Sequence, residues 1–248
     1  FILRQPFMDA LRVDDVCKSY GDVEAVKEIN FSVKKGEIFG LIGPNGAGKT
    51  TALRMISTLI TISSGSITVC GHDVASEGDE VRRCISYLPE DAGAYKEMTG
   101  RKYLQFISGF FHEGGNKGQM LEEGIKIANL GDRIDSKVGT YSKGMMRRLL
   151  IARAMMTRPQ LAIMDEVTSG LDVINAHDIR GLIRGIADSG VTVLLSSHNM
   201  HEVEYLCDRV AMINKGKIVL QGTPSDLLKE YDAENLEEVF VKGVNSVE

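Results

Sequence analysis

One glycine-rich stretch decides the fold, namely Gly43-Pro44-Asn45-Gly46-Ala47-Gly48-Lys49-Thr50. It matches the pattern G-x-x-x-x-G-K-[S/T], in which backbone N–H groups surround the oxygens of a nucleotide's phosphates. A buried-looking apolar run at 37–42 precedes it, and Leu53, Ile56 and Leu59 follow it with helical spacing. This order of strand, loop and helix directs the positive end of a helix dipole at the loop. A phosphate-binding loop in an α/β protein is therefore predicted, the alternative being a chance glycine turn before a helix.

The side chains at the end of this stretch predict its chemistry. Lys49 supplies a positive charge for the β- and γ-phosphates, and the hydroxyl group of Thr50 can ligate Mg²⁺. The residues predicted to hold the nucleotide through this loop are Gly43, Pro44, Asn45, Gly46, Ala47, Gly48, Lys49, Thr50 and Thr51.

A second apolar run, at 161–164, ends in the two carboxylates Asp165 and Glu166. At the exit of a buried strand in a nucleotide-binding fold, Asp165 can join the Mg²⁺ shell. Glu166 is then placed to orient or deprotonate the attacking water. An acidic pair that merely ends a strand is the alternative, and the glycine loop upstream favours the catalytic interpretation.

The rest of the chain reads as an α/β protein with a helical insertion in its middle. Helical patterns dominate 90–159 and return at 176–188 and 225–238. Short β-branched and apolar runs bounded by turn residues predict further strands at 11–13, 29–33, 65–69, 84–88, 191–195, 209–213 and 217–220.

Composition narrows the possible partners. Lys and Arg number 29 against 34 Asp and Glu, which gives a net charge of −5, and no polybasic block occurs. No nucleic-acid partner is therefore predicted.

No apolar run reaches the roughly 20 residues of a membrane span. The N-terminal residues 1–7 lack a signal-peptide layout, and Met8 is a candidate natural start. Scattered cysteines favour reduced thiols over a disulfide framework, and these are Cys17, Cys70, Cys84 and Cys207.

With the motifs that follow, the chain resembles the ATP-binding subunits of ABC transporters, since they occur in that family's order over about 11–223. Tyr20 matches the aromatic residue that stacks on adenine. The remaining matches are the signature-like Tyr141-Ser142-Lys143-Gly144-Met145, the D-loop-like Ser169-Gly170-Leu171-Asp172 and the switch-histidine segment Ser196-Ser197-His198.

The resemblance implies a fold and its parts. We expect a P-loop NTPase (RecA-like) parallel-sheet core with an antiparallel β subdomain and an inserted α-helical subdomain, all within one ABC ATPase domain over 1–248. The core and β subdomain would occupy about 11–90 and 158–223. The helical subdomain with the signature would occupy about 91–157, and a helical tail would follow at 224–248.

The resemblance also implies an ATP- and Mg²⁺-dependent ATPase. Lys49, Glu166 and His198 would be catalytic, and Mg²⁺ would be held by Thr50, Asp165 and Glu90. A homodimer, or a dimer with a related ATPase subunit, would form on ATP binding. The residues that would meet the nucleotide from the second protomer are Ser142, Gly144 and Asp172.

A separate membrane permease is the second implied partner, placing the chain peripherally on the cytoplasmic face of the cell membrane. A groove beside 90–99, with Tyr95 and Met98 as apolar candidates, would receive it. The segments 87–90, 141–145 and 234–240 resemble the ABC-2 type exporter group most. Substrate contacts would belong to the permease, so no cargo is predicted.

The chain departs from the family pattern at three places. Glu90 stands where most of the family has glutamine, and an ionised carboxylate only accepts hydrogen bonds. Tyr141, Lys143 and Met145 replace commoner signature residues, and Val167 replaces a usual proline. None of these changes removes a group needed for hydrolysis.

Other interpretations are weaker. Asn214 and Lys215 suggest a guanine-binding N-K-x-D motif, but Lys217 replaces its aspartate. His198 and His201 suggest a metal pair, but no third ligand follows. A non-transport ABC ATPase of translation or DNA repair would carry tandem modules or a long coiled coil. An ATP-binding scaffold without turnover would not need both carboxylates.

Overall fold

The computed structural model of the protein describes residues 9–111 and 117–247. The predictions for residues 1–7 and Met8 lie outside these residues. Within the two described ranges, no helix combines the length and the hydropathy needed to cross a bilayer.

Strands and helices alternate through much of the chain. The strands are β1 (Asp9–Tyr20), β2 (Val23–Lys34), β3 (Ile38–Ile42), β4 (Ser64–Val69), β5 (His72–Asp73), β6 (Ile85–Leu88), β7 (Leu161–Asp165), β8 (Thr192–Ser197), β9 (Arg209–Asn214) and β10 (Lys217–Gly222). The helices are α1 (Lys49–Ile56), α2 (Gly78–Cys84), α3 (Gly100–Ser108), α4 (Lys117–Ala128), α5 (Lys143–Met155), α6 (Val173–Asp188), α7 (Met200–Leu206), α8 (Pro224–Glu230) and α9 (Leu236–Val247).

The larger sheet has the strand order β10-β9-β3-β8-β7-β6 and positions the site. All neighbouring pairs are parallel except the edge pair of β9 and β10. The carboxyl ends of parallel strands meet at one edge of a sheet, where α/β proteins bind ligands. The glycine loop after β3, Asp165 at the end of β7 and His198 after β8 therefore converge. The predicted α/β fold with a parallel-sheet core is confirmed.

A smaller antiparallel sheet, with the order β2-β1-β4-β5, packs beside the core. Val13 lies between Phe31 on β2 and Ile67 on β4 in the strand register. The rings of Phe31 and Phe39 stack with centroids 5.5 Å apart, so β2 and β3 share one apolar cluster. This shared burial fixes the small sheet against the strand that carries the glycine loop.

The segment predicted as helical contains α3, α4 and α5, together with 3₁₀ turns at Gly131–Asp135 and Val138–Thr140. Its interior is an apolar cluster that includes Tyr103, Leu104 and Leu149. Helix α5 also contributes Leu150 and Ile151 to the cluster under the large sheet. Helix α5 thus packs into both the helical cluster and the cluster under the large sheet. The division of the chain into subdomains stays a prediction.

Two helices differ from the sequence-based expectation. Helix α1 ends at Ile56, because Thr58 adopts a left-handed backbone with φ of +60°. The helical spacing predicted for Leu53, Ile56 and Leu59 is therefore wrong for Leu59, which lies beyond the end of α1 and is 60% exposed. The tail is less peripheral than its polar sequence indicates, since Leu236 is fully buried in the core beneath the large sheet.

Candidate active site

The loop between β3 and α1 requires its glycines. Gly46 and Gly48 have φ of +78° and +109°, in the left-handed region that favours glycine. A Cβ atom on Gly43 would lie 2.1 Å from the carbonyl oxygen of Ile213. One on Gly48 would lie 2.8 Å from the carbonyl oxygen of Ala25. The loop is therefore pressed against its neighbours at Gly43 and Gly48, whereas Gly46 is required by its backbone conformation alone.

Lys49 points into this loop and is almost completely buried. Its Nζ donates to the carbonyl oxygens of Gly43 at 2.7 Å and Pro44 at 3.2 Å. Nζ also lies 3.2 Å from Oε1 of Glu166, and both side chains are less than 10% exposed. A buried ammonium group needs such partners, because desolvating an unpaired charge is costly.

Glu166, directly after β7, connects Lys49 of the glycine loop with Ser196 on β8. Its backbone has φ of +49°, and its N–H donates to Oγ of Ser196 at 3.1 Å. Its Oε2 lies 2.7 Å from Nδ1 of the half-exposed His198. Within the described part of the chain, Oε1 is ion-paired with Lys49 but accepts no hydrogen bond. This buried oxygen can therefore still accept a hydrogen bond from a water molecule.

Asp165 is fixed by two hydroxyl groups that the sequence analysis did not identify. Ser196 donates to Oδ1, and the hydroxyl of Tyr87 lies 3.5 Å from Oδ2. Burial, followed by the charge of Asp165, raises the pKa of Tyr87 above its ordinary value. In the structure, the register of β7 and β8 pairs Ser196 with Asp165. The sequence signal that could have found Ser196 is its place in the Ser196-Ser197-His198 segment.

An open cleft of about 180 Å³ gathers most of the predicted nucleotide residues. Its lining consists of Ala25, Asn45, Gly46, Ala47, Gly48, Lys49, Thr50, Thr51, Glu90 and Glu166. Ala25, on β2, was not predicted, because a lone alanine carries no sequence signal. Tyr20 lies at the end of β1, half-exposed, with Nζ of Lys18 5.2 Å from its ring centroid. Its contact with adenine stays a prediction.

Glu90 connects this cleft to two other motifs. Its Oε1 accepts from Oγ of Ser169 in the D-loop at 3.2 Å. Its backbone oxygen accepts from Nη2 of Arg147 on the signature helix at 3.4 Å. Burial lowers the pKa of Arg147, and the charge of Glu90 opposes that effect. The departure from glutamine thus places a carboxylate near a half-buried guanidinium group.

The signature residues lie outside the lining of the cleft. Ser142 caps α5 by accepting from the N–H of Met145 at 3.2 Å. Gly144 packs so closely on α6 that a Cβ atom would lie 2.0 Å from Oδ1 of Asn175. Asp172 caps α6, and hydrogen bonds from the backbone and side chain of Asn175 lower its pKa. The signature and the D-loop are therefore joined through Asn175.

The part of the sequence that forms most of this cleft is similar to that of known proteins. A family profile described as "ABC transporter" matches residues 26–169, more than half of the 248-residue chain. The chain belongs to the ABC transporter family. One relative in this family, the linearmycin resistance ATP-binding protein LnrL of Bacillus subtilis (strain 168), is 37% identical over 95% of this chain and 76% of its own length.

Two further members of the ABC transporter family agree. The Nod factor export ATP-binding protein I of Rhizobium etli is 38% identical over 90% of this chain and 71% of its own length. A solved structure described as the ATP binding subunit of an ABC transporter superposes with a TM-score of 0.83. It is 28% identical and is aligned over 95% of this chain and 99% of its own. The predicted resemblance to the ABC-2 type exporter group is confirmed by these relatives.

Membership of the ABC transporter family defines the reaction. The chain is an ATP-binding subunit, and ATP hydrolysis is the chemistry of its family. The structure brings Lys49, Glu166 and His198 into one connected cluster beside the cleft. Ser142, Gly144 and Asp172 do not line this cleft of their own chain.

Proposed function

We propose that this chain is the ATPase subunit of an ABC-2 type exporter, hydrolysing Mg-ATP as a dimer beneath a separate membrane permease. The observation that carries the proposal is the connected cluster beside the cleft, in which the buried Lys49 and Glu166 meet the half-exposed His198. Relatives whose names describe drug resistance and Nod factor export support the direction of transport. The chain would act peripherally, on the cytoplasmic face of the membrane.

In this proposal each side chain of the cluster has one task. The phosphates of ATP would draw the ammonium group of Lys49 away from the carbonyl oxygens of Gly43 and Pro44. Oε1 of Glu166 would accept a hydrogen bond from the attacking water and take up its proton. His198, held at Oε2 of Glu166, would contact the γ-phosphate through its other ring nitrogen. Positioning and charge stabilisation carry most of the catalysis in phosphoryl transfer.

We assign Mg²⁺ to oxygen ligands from Thr50, Asp165 and Glu90. Thr50 and Glu90 line the cleft, and Asp165 precedes the lining residue Glu166. The described residues contain no group of three or more His, Cys, Asp or Glu side chains that could hold a metal by themselves. This fits Mg²⁺, which usually relies on one or two carboxylates plus phosphates and water. When bound, it neutralises phosphate charge.

A dimer would complete the ATP site. Ser142, Gly144 and Asp172 do not line the cleft of their own chain, which supports the proposal that they meet the nucleotide from a second copy or a related subunit. The N-terminus of α5, capped by Ser142, presents backbone N–H groups suited to a phosphate. ATP would therefore act as the ligand that joins two protomers.

The permease would dock beside Tyr95. Tyr95 is 58% exposed, and its ring meets Phe106 edge-on with centroids 5.6 Å apart. Phe106 in turn meets the exposed Phe110 at 5.0 Å. Met98, the other predicted contact, packs partly buried against the helical cluster. Tyr95 is thus the better candidate for contact with an apolar cytoplasmic segment of a permease.

Co-purification from membranes of the native host tests this function. We expect a protein with several hydrophobic spans to accompany the tagged chain, and ATP turnover to change when that partner is present. Tyr95→Ala should release the partner while leaving ATPase activity of the isolated chain intact. Recovery of ribosomes or DNA instead would favour the alternative of a non-transport ABC ATPase.

A further inference from the structure

The proposed catalytic residues Glu166 and His198 lie on two segments of the chain, and two side-chain contacts join these segments. The first contact is the one between Oε2 of Glu166 and Nδ1 of His198, at 2.7 Å. The second is a hydrogen bond from Oγ1 of Thr168 to Oε2 of Glu202. Thr168 is two residues beyond Glu166, and Glu202 is four residues beyond His198. The two contacts therefore act on the same pair of segments.

Glu202 is held in place from two further sides. Nη1 of Arg180 donates to its Oε1 at 2.8 Å, and its own N–H donates to Oδ1 of Asn199 at 3.2 Å. The side chain of Glu202 is 15% exposed and that of Arg180 is 25% exposed, so water screens this pair weakly. Charge-assisted hydrogen bonds of this kind are stronger than neutral ones.

The anchor for Glu202 is rigid. Arg180 belongs to α6, whose inward face, including Ile179 and Ile183, is fully buried in the core beneath the large sheet. Glu202 lies in the first turn of α7, a helix that begins at Met200, two residues after His198. Both segments of the catalytic pair are thus tied to the same core helix through one carboxylate.

We propose that Glu202 is a positioning residue for ATP hydrolysis, fixing through Thr168 the distance between Glu166 and His198. Neither Thr168 nor Glu202 lines the nucleotide cleft in the described part of the chain, so neither would contribute to ATP affinity. A displacement of about 1 Å in a reacting group can slow catalysis by roughly 100-fold. The inference rests on the ATP hydrolysis assigned to this chain.

The sharpest test compares two substitutions at one position. Thr168→Val removes the hydroxyl group at nearly constant volume, whereas Thr168→Ser keeps it. We expect Thr168→Val to lower kcat by about 10- to 100-fold with KM for ATP unchanged, since the lost contact shapes only the reacting geometry. Thr168→Ser should retain most of the activity. A purely structural role would lower the unfolding temperature without this split between kcat and KM.

A second pair tests the carboxylate itself. Glu202→Gln can still accept from Arg180 and donate to Thr168, so it should recover most of the kcat that Glu202→Ala loses. His201→Ala, on the same helix but 60% exposed at its side chain, is the matched control and should behave like the wild type. Combining Thr168→Val with Glu202→Ala should lower kcat no further than either alone, because both remove one bridge.

The outcomes separate two failures. Equal kcat values for Thr168→Val and Thr168→Ser, or a rise in KM with kcat unchanged, would overturn the positioning role alone. A wild-type protein that binds ATP but releases no phosphate, also with its permease present, would overturn the assigned reaction and this role with it.

Discussion

The ammonium group of Lys49 and the carboxylate of Glu166 form a buried ion pair, with Nζ 3.2 Å from Oε1. Each group is also proposed to bind a second partner, since Lys49 is expected to contact a phosphate and Glu166 to contact the attacking water. Phosphate and Glu166 therefore compete for one ammonium group. A nucleotide that wins this competition frees the carboxylate at the moment when a substrate is present.

Glu166→Gln tests the role of this carboxylate. The amide keeps the size of the side chain but cannot take up a proton, so we expect ATP hydrolysis to fall by about 100- to 10,000-fold, the usual range for a general base. ATP binding should persist, and the ATP-bound variant should elute as a dimer in size-exclusion chromatography. Unchanged phosphate release would exclude Glu166 as the base.

Gly144→Ala tests the contact between the signature and α6. The added Cβ atom would lie 2.0 Å from Oδ1 of Asn175, so we expect a loss of about 1–3 kcal/mol of unfolding free energy from overpacking. Gly181→Ala on α6 is the control, because nothing lies within 4 Å of its new Cβ atom. It should gain about 0.5–1 kcal/mol from helix propensity. Urea denaturation measures both, and equal effects would contradict the contact.

Two substitutions at Ser142 separate its structural task from its proposed contact with ATP. Ser142→Ala removes the cap of α5 and should cost about 1 kcal/mol of stability. Ser142→Asp keeps a capping side chain, so its stability should stay near that of the wild type. Its carboxylate would repel a γ-phosphate, so ATP-dependent dimerisation should disappear. A stable Ser142→Asp protein that still dimerises with ATP would contradict the shared site.

Glu37 predicts a pH dependence of stability. Burial raises the pKa of Glu37 above its ordinary value of 4.5, against the opposing effects of its bond to the N–H of Lys34 and the charge of Arg209. The folded state thus binds this proton more tightly than the unfolded state. The contribution of protonated Glu37 to the free energy of unfolding is complete below pH 4.5 and is lost as the pH rises through the raised pKa of Glu37.

Glu37→Gln isolates that contribution, because the amide oxygen can still accept from Lys34. We expect the unfolding free energy of the variant, relative to that of the wild type, to increase as the pH is raised above 4.5 towards neutrality. Urea denaturation at several pH values provides the measurement. A difference that stays constant with pH would show that burial does not govern this carboxyl group.

The sequence predicted the parts of the site that local patterns encode. The glycine loop, the Asp165–Glu166 pair and the helix cap at Ser142 each depend on neighbours a few residues apart. The register of β7 and β8 then brings Ser196 to Asp165 across 31 positions, and Arg147 reaches Glu90 across 57. Such contacts depend on the packing of whole elements, so no short pattern announces them.

The predicted end of helix α1 was wrong because local apolar spacing does not determine where a helix stops. The apolar spacing of α1 continues to Leu59, but the left-handed residue Thr58 ends the helix before that position. A threonine carries no sequence signal for such a backbone, which its side chain disfavours. The sequence of the tail is mostly polar, but its burial is decided by the two apolar residues Leu236 and Val239.

The left-handed backbone of Glu166 has a consequence for how this protein can vary. A glutamate with φ of +49° carries strain of about 1–3 kcal/mol, which glycine would relieve. Glycine would also leave the buried ammonium group of Lys49 without its carboxylate, and breaking a buried ion pair in this way costs about 3–5 kcal/mol. The side chain that gives this residue its proposed task is therefore also the one that holds its strained backbone in place, through the lysine and the histidine.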